Sequence, residues 1–215
     1  MIQWVVEGTR RAKSVERVLV ATDDQRIVDV VVGFGGEAVL TSPSHPSGTD
    51  RIAEALGDGQ PDVVINVQGD EPLVEPDAID QLAQLFKGGD PPQMATLCHP
   101  LSPAEALDPA KVKVVFDHRS NALYFSRAPI PYPREGTHTE YYLHVGIYAY
   151  TPMTLLRFVN LEQGRLEGLE KLEQLRALEN GIPIRVVVTP YRSFGVDTPQ
   201  DAQKMDRLLR ERLSS

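Results

Sequence analysis

The 215-residue chain has a single cysteine, no excess of basic residues and no long apolar run. One thiol, Cys98, excludes an internal disulfide framework and any zinc site built from several cysteines. It lies in Met94-Ala95-Thr96-Leu97-Cys98, which reads as a strand, and there it suits a small apolar core filler. With 22 Lys and Arg against 30 Asp and Glu, the formal net charge is −8. That balance argues against a broad basic face for nucleic acid, while a few placed arginines would still bind small anions. No apolar stretch approaches the ~18 residues of a membrane span, and no signal or lipidation pattern occurs. The expectation is a soluble cytoplasmic protein without a membrane or nucleic-acid partner. Internal repeats and low-complexity linkers are missing as well.

What is there is a chain that is 41% hydrophobic and 24% charged, enough to bury a sizeable core. Arg17–Ala21 and Ala38–Leu40 read as short strands around a helix that Gly35-Gly36 ends. A polar loop, Thr41–Gly48, leads to a helix capped by Ser47 or Thr49. Val63–Val67 is a nearly unbroken apolar run, as expected of a strand covered on both faces. Alternation of strand and helix over this stretch predicts a parallel sheet with right-handed crossovers. Further strands are predicted at Met94–Leu97, Val112–Phe116, Ala122–Ser126, Tyr141–Tyr150 and Ile184–Val188. With little helix between the middle ones, mixed pairing is expected. Helices follow at about 152–159 and 166–179, and Asp197-Thr198-Pro199 opens a last one. Met1–Lys13 reads as an amphipathic helix with no strand or Gly-rich turn ahead of it, so the chain reads as starting inside a unit.

Several segments carry residues suited to chemistry. In Asn66-Val67-Gln68-Gly69-Asp70-Glu71-Pro72 an acid follows the carboxyl end of a buried strand, where open α/β sheets bind ligands. Asp70 suits Mg²⁺, and the same pattern also makes an ordinary capped turn. Asp197, between the last strand and the last helix, is either a second metal-binding carboxylate or a helix cap. If the two converge, they supply the paired acids of a magnesium-assisted nucleotidyl transfer, in which a substrate hydroxyl attacks directly. Ser47-Gly48-Thr49-Asp50-Arg51 combines free amides at a helix N-terminus with the planar fork of Arg51. Arg127 ends a strand ahead of Pro129 and Pro131. In Tyr142–Tyr150, Leu143, Val145, Ile147 and Ala149 form one apolar face, and Tyr142, His144, Gly146 and Tyr148 form the other. Leu169, Leu172, Leu175 and Leu178 mark a buried helix stripe flanked by Glu173 and Gln174.

In this order and spacing, these segments resemble the 3-deoxy-manno-octulosonate cytidylyltransferases, or CMP-Kdo synthetases. The likeness runs over nearly the whole chain, through Ser47–Arg51, Asn66–Pro72, Ala122–Arg127, His144–Tyr148, Leu172–Arg176 and Gly195–Pro199. It implies a Rossmann-like α/β fold: a mixed, mostly parallel sheet of the nucleotidyltransferase type. One domain would span residues 1–215, with a small dimerisation and sugar-binding lobe at roughly 117–165. It implies a homodimer that uses CTP and Kdo to make CMP-Kdo and pyrophosphate for lipopolysaccharide assembly. By the same likeness Asp70 and Asp197 hold Mg²⁺. Arg51, Gln68, Arg127, His144, Tyr148, Glu173 and Gln174 line the Kdo pocket, and Ser47 and Gly48 lie by the cytosine. Family members begin with a strand and a nucleotide-wrapping loop, whereas this sequence starts where their first helix starts. The alternatives are a cytidylyltransferase for 8-amino-Kdo or a sialic acid, or a truncated, non-catalytic homologue.

Overall fold

The computed structural model describes residues 1–136, 140–192, 194–196 and 198–213. The mixed α/β architecture expected from the sequence is present. Helix α1 (Ile2–Arg10) precedes strand β1 (Leu19–Thr22), helix α2 (Gln25–Gly33), strand β2 (Glu37–Leu40) and helix α3 (Gly48–Leu56). Strand β3 (Val64–Asn66), helix α4 (Pro76–Leu85), strand β4 (Met94–Leu101) and helix α5 (Pro103–Ala106) come next. Then follow strands β5 (Lys113–Phe116), β6 (Ala122–Ser126) and β7 (Tyr141–Tyr150), and helices α6 (Pro152–Val159), α7 (Arg165–Glu170) and α8 (Gln174–Glu179). Strand β8 (Ile184–Val188) and helix α9 (Pro199–Leu213) complete the order.

The main sheet runs β6-β5-β7-β4-β8, and β3 also pairs with β7. Strands β3, β4 and β5 are antiparallel to β7, and β8 is parallel to β4. Thus β3, β4, β5 and β8 share one direction, with β7 and β6 opposed to them. Strands β1 and β2 pair in parallel as a separate two-stranded sheet. The parallel crossover expected for the first part of the chain therefore holds for β1 and β2. It does not extend to β3 by hydrogen bonding, because β3's ladder partner is the antiparallel β7.

Alternation along β7 feeds two cores. Val145, Ile147 and Ala149 pack with Val74, Ile79, Leu82 and Leu97 on one face. Tyr148 and Tyr150 pack with Phe125, Phe158, Leu175 and Ile184 on the other. Both faces are covered, so the second face of β7 is core like the first. A Cβ on Gly8 would come within 2.9 Å of Val74 Cγ1, so the absence of a side chain lets α1 settle on the turn after β3.

One helix differs from expectation. The stretch 166–179 is two helices, broken at Lys171, whose φ of 55° is left-handed. Leu172 and Leu175 are buried as the stripe requires, but Leu169, ahead of the break, is 68% exposed. In a single continuous helix Leu169, Leu172 and Leu175 would lie within about 120° of one another and share a face.

Candidate active site

Between the two sheets lies a cavity of about 1370 Å³. Of the residues singled out from sequence, Gly48, Arg51, Gln68, Asp70, Tyr148 and Glu173 line it. They reach it from the start of α3, the turn after β3, the end of β7 and the segment before α8. Ser47, Arg127, His144 and Gln174 are not among the lining residues. Asp197 lies outside the described residues.

Each wall is built by local chemistry. Ser47 caps α3, its hydroxyl accepting from Asp50 N at 3.3 Å and donating to Asp50 Oδ2 at 2.5 Å. Thr49, 2% exposed, donates through Oγ1 to Glu173 Oε2 at 2.7 Å, which ties α3 to the approach of α8. Arg51 is not left to solvent. Its guanidinium donates to Thr41 Oγ1 at 2.7 Å and to Asp23 Oδ2 at 3.0 Å, so β1 and β2 hold it in place. Gln68 rests against Gly146, where an added Cβ would stand 3.0 Å from Gln68 Nε2. Glycine at 146 thus makes room for that amide on the wall of β7.

The turn bearing Asp70 meets the end of the chain. Val196 N donates to Asp70 O at 3.0 Å, and Tyr191 Oη donates to the buried Glu71 at 3.1 Å. Two bonds therefore fasten the segment leading into Asp197 against the turn after β3.

Beside this turn runs a row of rings. His144 lies 5.3 Å from Tyr148, and Tyr148 lies 6.1 Å from Tyr150, between ring centres. Desolvation pushes His144 down to about 3, so its imidazole is neutral at ordinary pH. Gln174 is 5% exposed, and its Nε2 has no hydrogen-bond partner. Glu173 Oε1 is also buried without one, Arg176 Nη2 being 3.8 Å away. One buried donor and one buried acceptor are thus left for something else to satisfy.

Arg127 sits at the exit of β6. Its Nε donates to Glu170 O at 2.8 Å and its Nη1 to Pro109 O at 3.1 Å. Below it, the fully buried Lys113 donates to the carbonyls of Asp108, Lys111 and Arg127 at 3.0, 2.5 and 2.6 Å. This lysine clamps the exit of β6 to the loop before β5. Sequence reading missed Asp23, Thr96 and Lys113. Only Asp23, in the polar Thr22-Asp23-Asp24 step after an apolar strand, offered a local signal.

A model of the cytidylyltransferase family matches residues 1–185. The chain belongs to the cytidylyltransferase family. Among curated relatives of this cytidylyltransferase is the 3-deoxy-manno-octulosonate cytidylyltransferase of Anaeromyxobacter sp. (strain Fw109-5). It is 51% identical over 97% of this chain and 86% of its own length. The 8-amino-3,8-dideoxy-manno-octulosonate cytidylyltransferase of Shewanella sp. (strain ANA-3) is 49% identical, over 97% of this chain and 87% of its own. Among solved structures, a CMP:2-keto-3-deoxy-manno-octonic acid synthetase in complex with CTP superposes with a TM-score of 0.94. It shares 43% identity over 98% of this chain and 88% of its own.

Proposed function

We propose that this cytidylyltransferase transfers CMP from CTP to Kdo, giving CMP-Kdo and pyrophosphate for lipopolysaccharide assembly. The observation that carries the reading is the shared cavity. A helix N-terminus, a clamped arginine, a strand-end carboxylate and a tyrosine face one space large enough for a nucleotide and a sugar. The near-identical fold of a relative holding CTP supports the same pair of substrates.

The chemistry follows from those groups. The anomeric hydroxyl of Kdo attacks the α-phosphate; its oxygen gains the bond to phosphorus as pyrophosphate leaves and its proton is released. No protein nucleophile is needed, and burial holds the Cys98 thiol up at about 12, away from such a role. Arg51 and Arg127, fixed by their neighbours, meet the sugar carboxylate, and the Gly48 end of α3 faces the cytosine. Gln68, His144, Tyr148, Glu173 and Gln174 contact the sugar.

Asp70 and Asp197 are the residues that would hold Mg²⁺. The donor set fits, because this cation takes one or two carboxylates and completes its shell with phosphate oxygens and water. No group of three or more His, Cys, Asp or Glu able to hold a metal occurs among the described residues. The bond from Val196 to Asp70 supports convergence of the two segments. When bound, Mg²⁺ neutralises triphosphate charge and polarises the α-phosphate.

The 117–165 lobe carries the homodimer contact, a reading supported by its exposed Leu123, Met153 and Leu156. The enzyme works in the cytoplasm; no helix among the described residues is long and apolar enough to cross a membrane. The test is pyrophosphate release from CTP with Kdo, with 8-amino-Kdo and with a sialic acid. Asp70→Asn should lower turnover by at least about a hundredfold, since several kcal/mol of stabilisation go with the cation. Its melting temperature should stay close to that of the parent. Near-normal turnover in this variant would refute the metal assignment, and release with only another sugar would refute the choice of Kdo.

A further inference from the structure

Thr96 lies on β4 where the register against β7 shifts between Thr96 and Leu97, and it is fully buried. Its Oγ1 has three neighbours: Ile147 O at 2.9 Å, Val145 O at 3.1 Å and His144 Nε2 at 3.1 Å. A hydroxyl carries one proton and two lone pairs, and a carbonyl oxygen only accepts. With two carbonyls at hydrogen-bonding distance, the Thr96 proton is directed to one of them. The hydroxyl oxygen then turns a lone pair to the imidazole, which must bring the proton on Nε2. The opposite arrangement would set three acceptors around one hydrogen in a dry site and leave two of them without a proton, where the first arrangement leaves one.

A neutral imidazole with its proton on Nε2 keeps a lone pair on Nδ1. That atom has no hydrogen bond to any described residue, and it is not one of the buried atoms left without a partner. Its ring neighbours, Phe125 at 5.0 Å and Tyr148 at 5.3 Å between centres, hold the ring plane without engaging Nδ1. An acceptor in that position takes a donor such as a hydroxyl. It repels the oxygens of a carboxylate or a phosphate, which are themselves acceptors.

We infer that Thr96 is a positioning residue that fixes His144 in the Nε2–H tautomer, so that Nδ1 accepts a hydrogen bond from a hydroxyl of the sugar. The inference rests on the reading of the cavity as the site of an acidic sugar, and it divides the recognition. The arginines meet the carboxylate, and the His144 imidazole reads a hydroxyl. Sugars that lack that hydroxyl, or replace it by an acceptor, are discriminated there.

The test is nitrogen NMR of the full chain labelled with ¹⁵N-histidine, between about pH 6 and pH 8, where an ordinary histidine titrates. His144 should show a protonated Nε2 and a bare Nδ1 throughout. A protonated Nδ1 in the parent protein would overturn the inference by itself, whether or not any variant folds. Thr96→Val removes the hydroxyl at similar shape, and Thr96→Ser retains it. In Thr96→Val the tautomers should mix. KM for Kdo should rise about three- to tenfold, the worth of one hydrogen bond, with kcat and KM for CTP little changed. Thr96→Ser should restore both signals. An unchanged tautomer or an unchanged sugar KM in Thr96→Val would overturn the inference. A parent enzyme inactive with Kdo would instead remove the functional reading, while the tautomer measurement would still report on Thr96.

Discussion

Replacing Arg176 with methionine should destabilise the protein out of proportion to one lost surface charge. Arg176 grips Glu167 with two parallel bonds, Nε to Oε2 at 2.8 Å and Nη2 to Oε1 at 2.6 Å. The two side chains are only 10% and 7% exposed, and the guanidinium lies 5.1 Å from the Phe158 ring centre. Deleting the cation strands a carboxylate whose remaining partner in that pocket is Gly164 N, at 3.2 Å. Leaving one member of a buried pair uncompensated costs about 3–5 kcal/mol. For a chain of this size each kcal/mol moves the melting point by about 2–4 °C, so the loss is roughly 6–20 °C. Urea unfolding with circular dichroism measures it, and its insensitivity to salt separates it from a surface pair. The double variant Glu167→Leu/Arg176→Met removes both charges and should recover most of the stability. Because Arg176 belongs to α8, which starts directly after Glu173, the single variant should also weaken sugar binding. A loss under about 1 kcal/mol, or a double variant as unstable as Arg176→Met, would refute the reasoning.

His144 makes the protein acid-sensitive. Its folded value of about 3 lies below the unfolded 6.5. The unfolded chain therefore binds the extra proton in that window, and stability falls as pH drops through it, by at most about 4–5 kcal/mol. In His144→Asn the fall in stability between about pH 6 and pH 4 should be shallower by close to one proton; an identical slope would refute the assignment. Cys98 is 0% exposed and held up at about 12, so an aromatic disulfide reagent near pH 8 should leave it unmodified until the chain is unfolded. Stoichiometric labelling of the native protein at the rate of a free thiol would contradict that burial.

Much of this arrangement was legible in the sequence because period and punctuation agree with the tertiary context. The strict alternation of Tyr141–Tyr150 gave a strand with those ends, and of the two cap candidates, Ser47 and Thr49, it is Ser47 that caps α3. The helix expected at about 152–159 is α6, Pro152–Val159. The break at Lys171 was hidden because nothing in Glu170-Lys171-Leu172 carries a helix-stop residue. A lysine in the left-handed region is held there by its surroundings, not by its own preference. Pairing was less legible than strand identity. The apolar run around Ile65 announces a strand, but only the folded chain shows that its ladder partner is β7. The arginine at 51 was visible, while its carboxylate at Asp23, 28 residues away, was not. Thr96 passed for ordinary strand filler because its role depends on the register of two strands distant in sequence.

The two-stranded sheet has a consequence for how the cleft yields. A two-stranded ladder is marginal on its own, whereas β4 and β7 are each flanked on both edges within a buried sheet. Yet it is the ends of β1 and β2 that supply Asp23 and Thr41, the grip on Arg51. The guanidinium is thus moored to strands paired along one edge, while Tyr148 and His144 stand on a strand paired along both. Thermal breathing therefore loosens one bank of the cavity and spares the other, and a ligand spanning both would gain by stiffening the weaker bank.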